Sequence, residues 1–180
     1  MIPMNPVEII SKFDQFLHRK SKSFEAVVIG GTALNLLGVI ERETRDCDIL
    51  DPKIPEDIKK LSIEFAETLK DEDLKQDWLN NGPASLLRDL DTTWKNQTEI
   101  LFSGLALTLY TLSRIDLIKS KVFALCDRTI DKPDCIALKP NKNELLEILP
   151  WLEQRDANPM WPEHVREVLS NLAKELGYEL

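Results

Sequence analysis

The apolar residues of this chain change their spacing along its length, and each change marks an element. From Pro6 to Ser21, Val7, Ile10, Phe13, Phe16 and Leu17 recur at three- and four-residue intervals, the period of a helix with one buried face. Glu25 to Ile29 (EAVVI) is a short β-branched run ending at Gly30-Gly31, which predicts a buried strand. Thr32 to Leu37 predicts a short helix closed by Gly38, and Asp46 to Leu50 (DCDIL) alternates polar with apolar like a half-buried strand. Ile58 to Leu69 returns to the helical period, whereas residues 70–93 are polar and broken at Asn81-Gly82-Pro83, predicting helix fragments and loops. Glu99 to Phe102 and Leu105 to Leu112 read as strands around a turn or bulge at Ser103-Gly104. From Arg114 onward the pattern is helical, interrupted at Asp131-Lys132-Pro133, Lys139-Pro140 and Asn158-Pro159. Pro150 is expected to kink or end the helix that begins near Asn143.

Strands early and helices late predict an α+β fold: a small mixed β-sheet flanked by helices, with a helical C-terminal tail. We expect a core over residues 1–138 and a helical extension over 139–180 packed on it. The length of 180 residues suits this arrangement. Composition, 43% hydrophobic and 30% charged, is that of a globular chain and excludes disorder. No apolar run approaches the ~20 residues of a membrane-spanning helix. Met1 to Ser11 lacks the basic start and apolar core of a signal peptide. A soluble cytoplasmic protein with no membrane partner is therefore expected. The net charge of −8 argues against indiscriminate polyanion binding and leaves room for a local basic site.

Three cysteines without CxxC spacing and two histidines on helical segments give little support to disulfides, cysteine-held zinc or imidazole catalysis. Two features carry chemistry. Gly30-Gly31 stands between a strand and a helix, where backbone without Cβ atoms can approach a ligand closely and amides at the helix start can face a phosphate. Thr32 can cap that helix or place its hydroxyl on a phosphate oxygen; a tight turn serving only packing is the alternative. Asp46 and Asp48 lie two apart on a strand, so both carboxylates leave the same face, with Cα atoms roughly 6–7 Å apart. Such a pair suits magnesium, as one ion or two shared, with substrate phosphates completing the shell. Arg42 and Arg45 can neutralise a triphosphate or pair with Asp46, Asp48 or Glu43. Cys47 points to the opposite face and reads as core. On a helical wheel Arg114, Lys121 and Arg128 fall within the apolar arc of Leu117, Ile118 and Leu125, and inward cations call for inward anions. Asp131 and Asp134 suit helix capping, or Asp134 points back to Lys121 or Arg128. Glu99 is the one candidate for a third metal ligand. Trp78, Trp94, Trp151 and Trp161 are scattered and read as packing.

Gly30-Gly31-Thr32-Ala33-Leu34 with Arg42-Glu43-Thr44-Arg45-Asp46-Cys47-Asp48 resembles the glycine-pair and RxTxDxD signature of nucleotidyltransferase-like proteins of the DNA polymerase beta superfamily. Residues 115–121 (IDLIKSK) and 128–134 (RTIDKPD) resemble a later segment of bacterial nucleotidyltransferases related to abortive-infection toxins. The resemblance implies a nucleotidyltransferase fold with Mg2+ held by Asp46 and Asp48. It places nucleotide phosphates near Gly30, Gly31 and Thr32; from the residues themselves, Arg42, Arg45 and Arg128 are the candidate basic groups for binding them. Lys121 and Asp134 match a lysine and an aspartate that the toxin relatives need. Active superfamily members commonly carry a third carboxylate on a neighbouring strand, for which only Glu99 offers itself. The expected activity moves a nucleoside monophosphate from an NTP to a hydroxyl of RNA, a small molecule or a protein. The competing expectation is a non-catalytic nucleotide-binding or antitoxin-like protein with a protein partner.

Overall fold

The computed structural model describes residues 5–42, 44–69, 74–129 and 131–180. Glu43 and Ile130, which belong to the two quoted segments, and residues 70–73 of the polar stretch lie outside the described residues. The chain divides into two compact units, Met1–Leu112 and Ser113–Leu180. The boundary expected after residue 138 falls inside the second of them.

In the first unit, helix α1 (Pro6–Arg19) opens on a reciprocal cap. Asn5 Oδ1 accepts the Glu8 amide N–H at 2.9 Å, and the Glu8 carboxylate accepts that of Asn5 at 3.3 Å. Strand β1 (Phe24–Ile29) runs into helix α2 (Gly30–Leu36), followed by β2 (Cys47–Asp51) and helix α3 (Glu56–Thr68). A two-residue strand β3 (Leu79–Asn80), then β4 (Glu99–Ser103) and β5 (Leu107–Thr111), complete a five-stranded sheet of order β3-β2-β1-β5-β4. The β1–β5 and β2–β3 pairs are parallel and the β1–β2 and β4–β5 pairs antiparallel, so the sheet is mixed as expected. Residues 82–88, a 3-10 helix, run alongside β2.

One sheet face, bearing Ala26, Val28, Cys47, Ile49, Leu107 and Leu109, joins the apolar sides of α1 and α3 in a single core. Phe13 lies 5.1 Å from both Phe65 and Trp78, ring centre to ring centre, and the Trp78 indole donates to the Ser62 carbonyl at 3.1 Å. Large rings in tilted and edge-on contact supply much apolar area per residue. Within this apolar set α1 buries one acid. Asp14 is 5% exposed and accepts the backbone N–H groups of Leu105, Ala106 and Leu107 at 3.1, 2.8 and 2.8 Å. Burial disfavours its charge, but the three amides outweigh that and hold its carboxyl below the usual range.

The second unit consists of helices α4 (Arg114–Arg128), α5 (Lys132–Leu138), α6 (Lys142–Glu153) and α7 (Trp161–Glu175). Asn141 and Glu144 repeat the reciprocal cap at the start of α6. Pro150 does not end that helix, which continues to Glu153. Phe123 sits edge-on to Trp151 and Trp161 at 6.1 and 6.2 Å, so these tryptophans pack, as does Trp78 in the first unit. No described helix is long and apolar enough to cross a membrane.

Candidate functional site

The antiparallel register of β1 and β2 sets Ile29 opposite Asp48, so the glycine pair that follows β1 turns beside the acid pair that opens β2. Gly30 has a φ of +76° and a side chain there would meet Asp48 Oδ2 at 2.5 Å. Both the left-handed backbone and the missing Cβ are required for this approach. Gly31 lies against Thr44, whose Oγ1 would be 3.2 Å from a Cβ. Thr32 is buried, and its hydroxyl donates to the Asp46 carbonyl at 2.6 Å instead of capping α2. The hydroxyl proton is thus spent on holding the acid segment.

Asp46 is exposed just before β2, and Asp48 is half-buried within it. Cys47 between them is 2% exposed on the core face, and burial, with Asp48 nearby, pushes its thiol far up, so it is no nucleophile. Arg42 is exposed and Arg45 half-buried on the segment entering β2. Asn35 on α2 anchors that segment by donating to the Arg42 carbonyl at 3.3 Å.

Strand β3 contributes a residue that the sequence did not single out. Asn80 pairs in register with Asp48 and donates from Nδ2 to Asp48 Oδ1 at 3.2 Å. Its own Oδ1 accepts the Gly82 N–H at 2.7 Å. The signal was present only as the Asn80-Asn81-Gly82-Pro83 break, because a two-residue strand has no period. Glu99 is corrected: it lies on β4, with β1 and β5 between it and β2. Three strand steps of about 4.8 Å place it ~14 Å away, beyond any shared ion. Among the described residues, no three His, Cys, Asp or Glu side chains gather in a metal-holding group. The oxygen donors of Asp46 and Asp48 fit a magnesium ion that keeps several waters, and the bare Gly30 Cα leaves space for the Asp48 carboxylate to sit there.

The remaining candidates lie in the second unit. The basic stripe of α4 is not uniformly inward. Arg114 and Arg128 have side chains 50% and 60% exposed, while Lys121 is buried. Arg114, on the first turn, reaches Glu144 at 2.7 Å and the Leu138 carbonyl at 2.9 Å. Lys121 donates to Asp134 at 2.7 Å and Asp131 at 2.9 Å, so the anions that answer it come from the start of α5. Asp131 occupies the capping position of α5 without capping it through its side chain. Burial disfavours the Lys121 charge, yet hydrogen bonds to Asp134 and Asp131 outweigh this and raise its pKa. Arg128 stands 3.7 Å from the other Asp131 oxygen.

No curated protein and no solved structure matches the chain. A family model described as a nucleotidyltransferase of unknown function (DUF6036) matches residues 7–139. That span is most of the chain and includes both the glycine-acid pair and the Lys121 cluster, so the chain belongs to this nucleotidyltransferase family.

Proposed function

We propose that this protein transfers a nucleoside monophosphate from a nucleoside triphosphate to a hydroxyl acceptor with release of pyrophosphate, using magnesium held by Asp46 and Asp48. The observation that carries this reading is the interlock of the two motifs: Asp48 Oδ2 fills the space a side chain at residue 30 would need. A tight turn alone requires no carboxylate there. Family membership supports a nucleotide as the donor.

A magnesium ion bound at the pair would neutralise phosphate charge and lower the pKa of the acceptor hydroxyl. Asp46 and Asp48 hold the ion. Gly30 and Gly31 leave room for the Asp48 and Thr44 side chains, nucleotide phosphates lie near this turn, and Thr32 fixes the acid segment through its bond to Asp46. Arg42 and Arg45 supply positive charge on the same segment, and Arg128 is an exposed cation of the second unit. Lys121 and Asp134 contribute by fixing the corner of α4 and α5. The work is positioning and charge stabilisation, with no covalent enzyme intermediate. The acceptor is a hydroxyl of RNA, a small molecule or a protein.

Incubation with magnesium and each labelled triphosphate, with RNA and a protein lysate as acceptors, tests this. Label transfer by the wild type that falls by roughly 100-fold or more in Asp48→Ala is expected. Nucleotide binding without transfer would instead support a second reading, a non-catalytic nucleotide-binding or antitoxin-like protein. One observation favours that reading: among the described residues no third acidic, histidine or cysteine ligand joins the pair.

A further inference from the structure

The strand beside Asp48 presents an amide whose two ends are both engaged. The Asn80 carbonyl oxygen takes the Gly82 N–H at 2.7 Å, so its NH2 group must be the end facing Asp48, where it donates to Oδ1 at 3.2 Å. A side chain on Gly82 would meet Asn80 Oδ1 at 2.8 Å, so the bare glycine permits this clamp. Asp48 is therefore held at Oδ1 by the Asn80 amide, while its Oδ2 occupies the place a side chain on Gly30 would take. Asn80 turns its oxygen toward Gly82, so the end it presents to Asp48 is an NH2 group, which repels a cation.

We infer that Asn80 is a positioning residue that orients the Asp48 carboxylate and limits the site to one divalent cation. The inference rests on the reading of Asp46 and Asp48 as metal-holding and commits that pair to one ion. Two-metal sites place ions about 3.5–4 Å apart and need bridging and flanking anions for both. With an amide beside Asp48, the pair supplies two carboxylates, enough for one ion that retains its waters and takes substrate phosphates.

The probe is Mn2+, counted and titrated on the full nucleotide-free chain by the loss of its free-ion paramagnetic resonance signal. The wild type is expected to bind one ion and Asp48→Ala none. Asn80→Ala removes the donor that orients Asp48 and is expected to weaken binding by about tenfold, the scale of lost support to a ligand. Asn80→Asp keeps the size and the Gly82 contact but sets a second carboxylate against Asp48. Its metal-free chain should melt at lower temperature than the wild type, and it should bind Mn2+ about tenfold more tightly or take a second ion. A merely structural Asn80 would lose stability without gaining affinity. Wild-type affinity in Asn80→Ala, or no gain in Asn80→Asp, overturns the inference while leaving the acid pair in place. If Asn80→Ala does not fold, Asn80→Asp decides alone. A wild-type chain that binds no Mn2+ sinks the reading of the acid pair and this inference with it.

Discussion

Gly30 joins two constraints at one Cα: a positive φ and a carboxylate oxygen where its side chain would be. Asparagine can meet the first at some cost; the second admits only glycine. Gly30→Ala should therefore lower unfolding free energy by about 2 kcal/mol in urea titrations and displace Asp48, abolishing Mn2+ binding. Gly31→Ala meets only the Thr44 side chain at 3.2 Å and should cost about 1 kcal/mol or less. An equal loss at both positions would show that Asp48 does not depend on its contact with Gly30. The same logic separates the residues a motif can reveal from those it cannot. Gly30, Asp46 and Asp48 are legible because the proposed transfer calls for those residue types at that spacing. Asn80 was not, because its role exists only through the pairing of β2 with β3.

The corner between α4 and α5 is held by a buried cation and two acids, with side chains 10%, 2% and 14% exposed for Lys121, Asp134 and Asp131. Removing one partner of such a group leaves uncompensated buried charge. Lys121→Met is expected to destabilise the chain by about 3–5 kcal/mol, and adding Asp134→Asn should recover part of that loss, read by chemical denaturation. The raised Lys121 pKa fixes the alkaline limb. Its stabilisation is complete below the unfolded value of about 10.4 and fades as pH rises through the higher folded value. Most elements could be read from their patterns, since α1 and α3 each bury one face and β1 is a short apolar run buried on both. A wheel also exposed Lys121 as an inward charge. On α1 the helical period likewise sets Asp14 between the buried Phe13 and Leu17, but its partners, 91 to 93 residues away, leave no mark in that period. Strand order was not legible: Glu99 looked eligible because sequence places it on a strand without saying which strands lie between.

Across the whole molecule the charge of −8 includes acids that the fold has made stronger. Asp14 is held below its ordinary pKa by its three amides, and Glu144 by Arg114. For such groups the unfolded chain binds protons first as pH falls. Their stabilisation is complete above about pH 4, near the unfolded values, and is lost as pH drops through the folded ones. Asp14→Asn should cost about 1–2 kcal/mol at neutral pH and flatten the acid limb of stability, measured by urea titration from pH 6 to 2. A limb as steep as that of the wild type would remove Asp14 from this account. The position of Asp14 has one more consequence, for the order of events at birth. Its three amide partners follow it by 91, 92 and 93 residues. At ~5–20 residues per second, roughly 5–20 s separate the synthesis of the acid from that of its partners. Throughout that interval burying the carboxylate would leave a bare charge out of water. Helix α1 can therefore bury Asp14 with its charge satisfied only once the β4–β5 turn has been made.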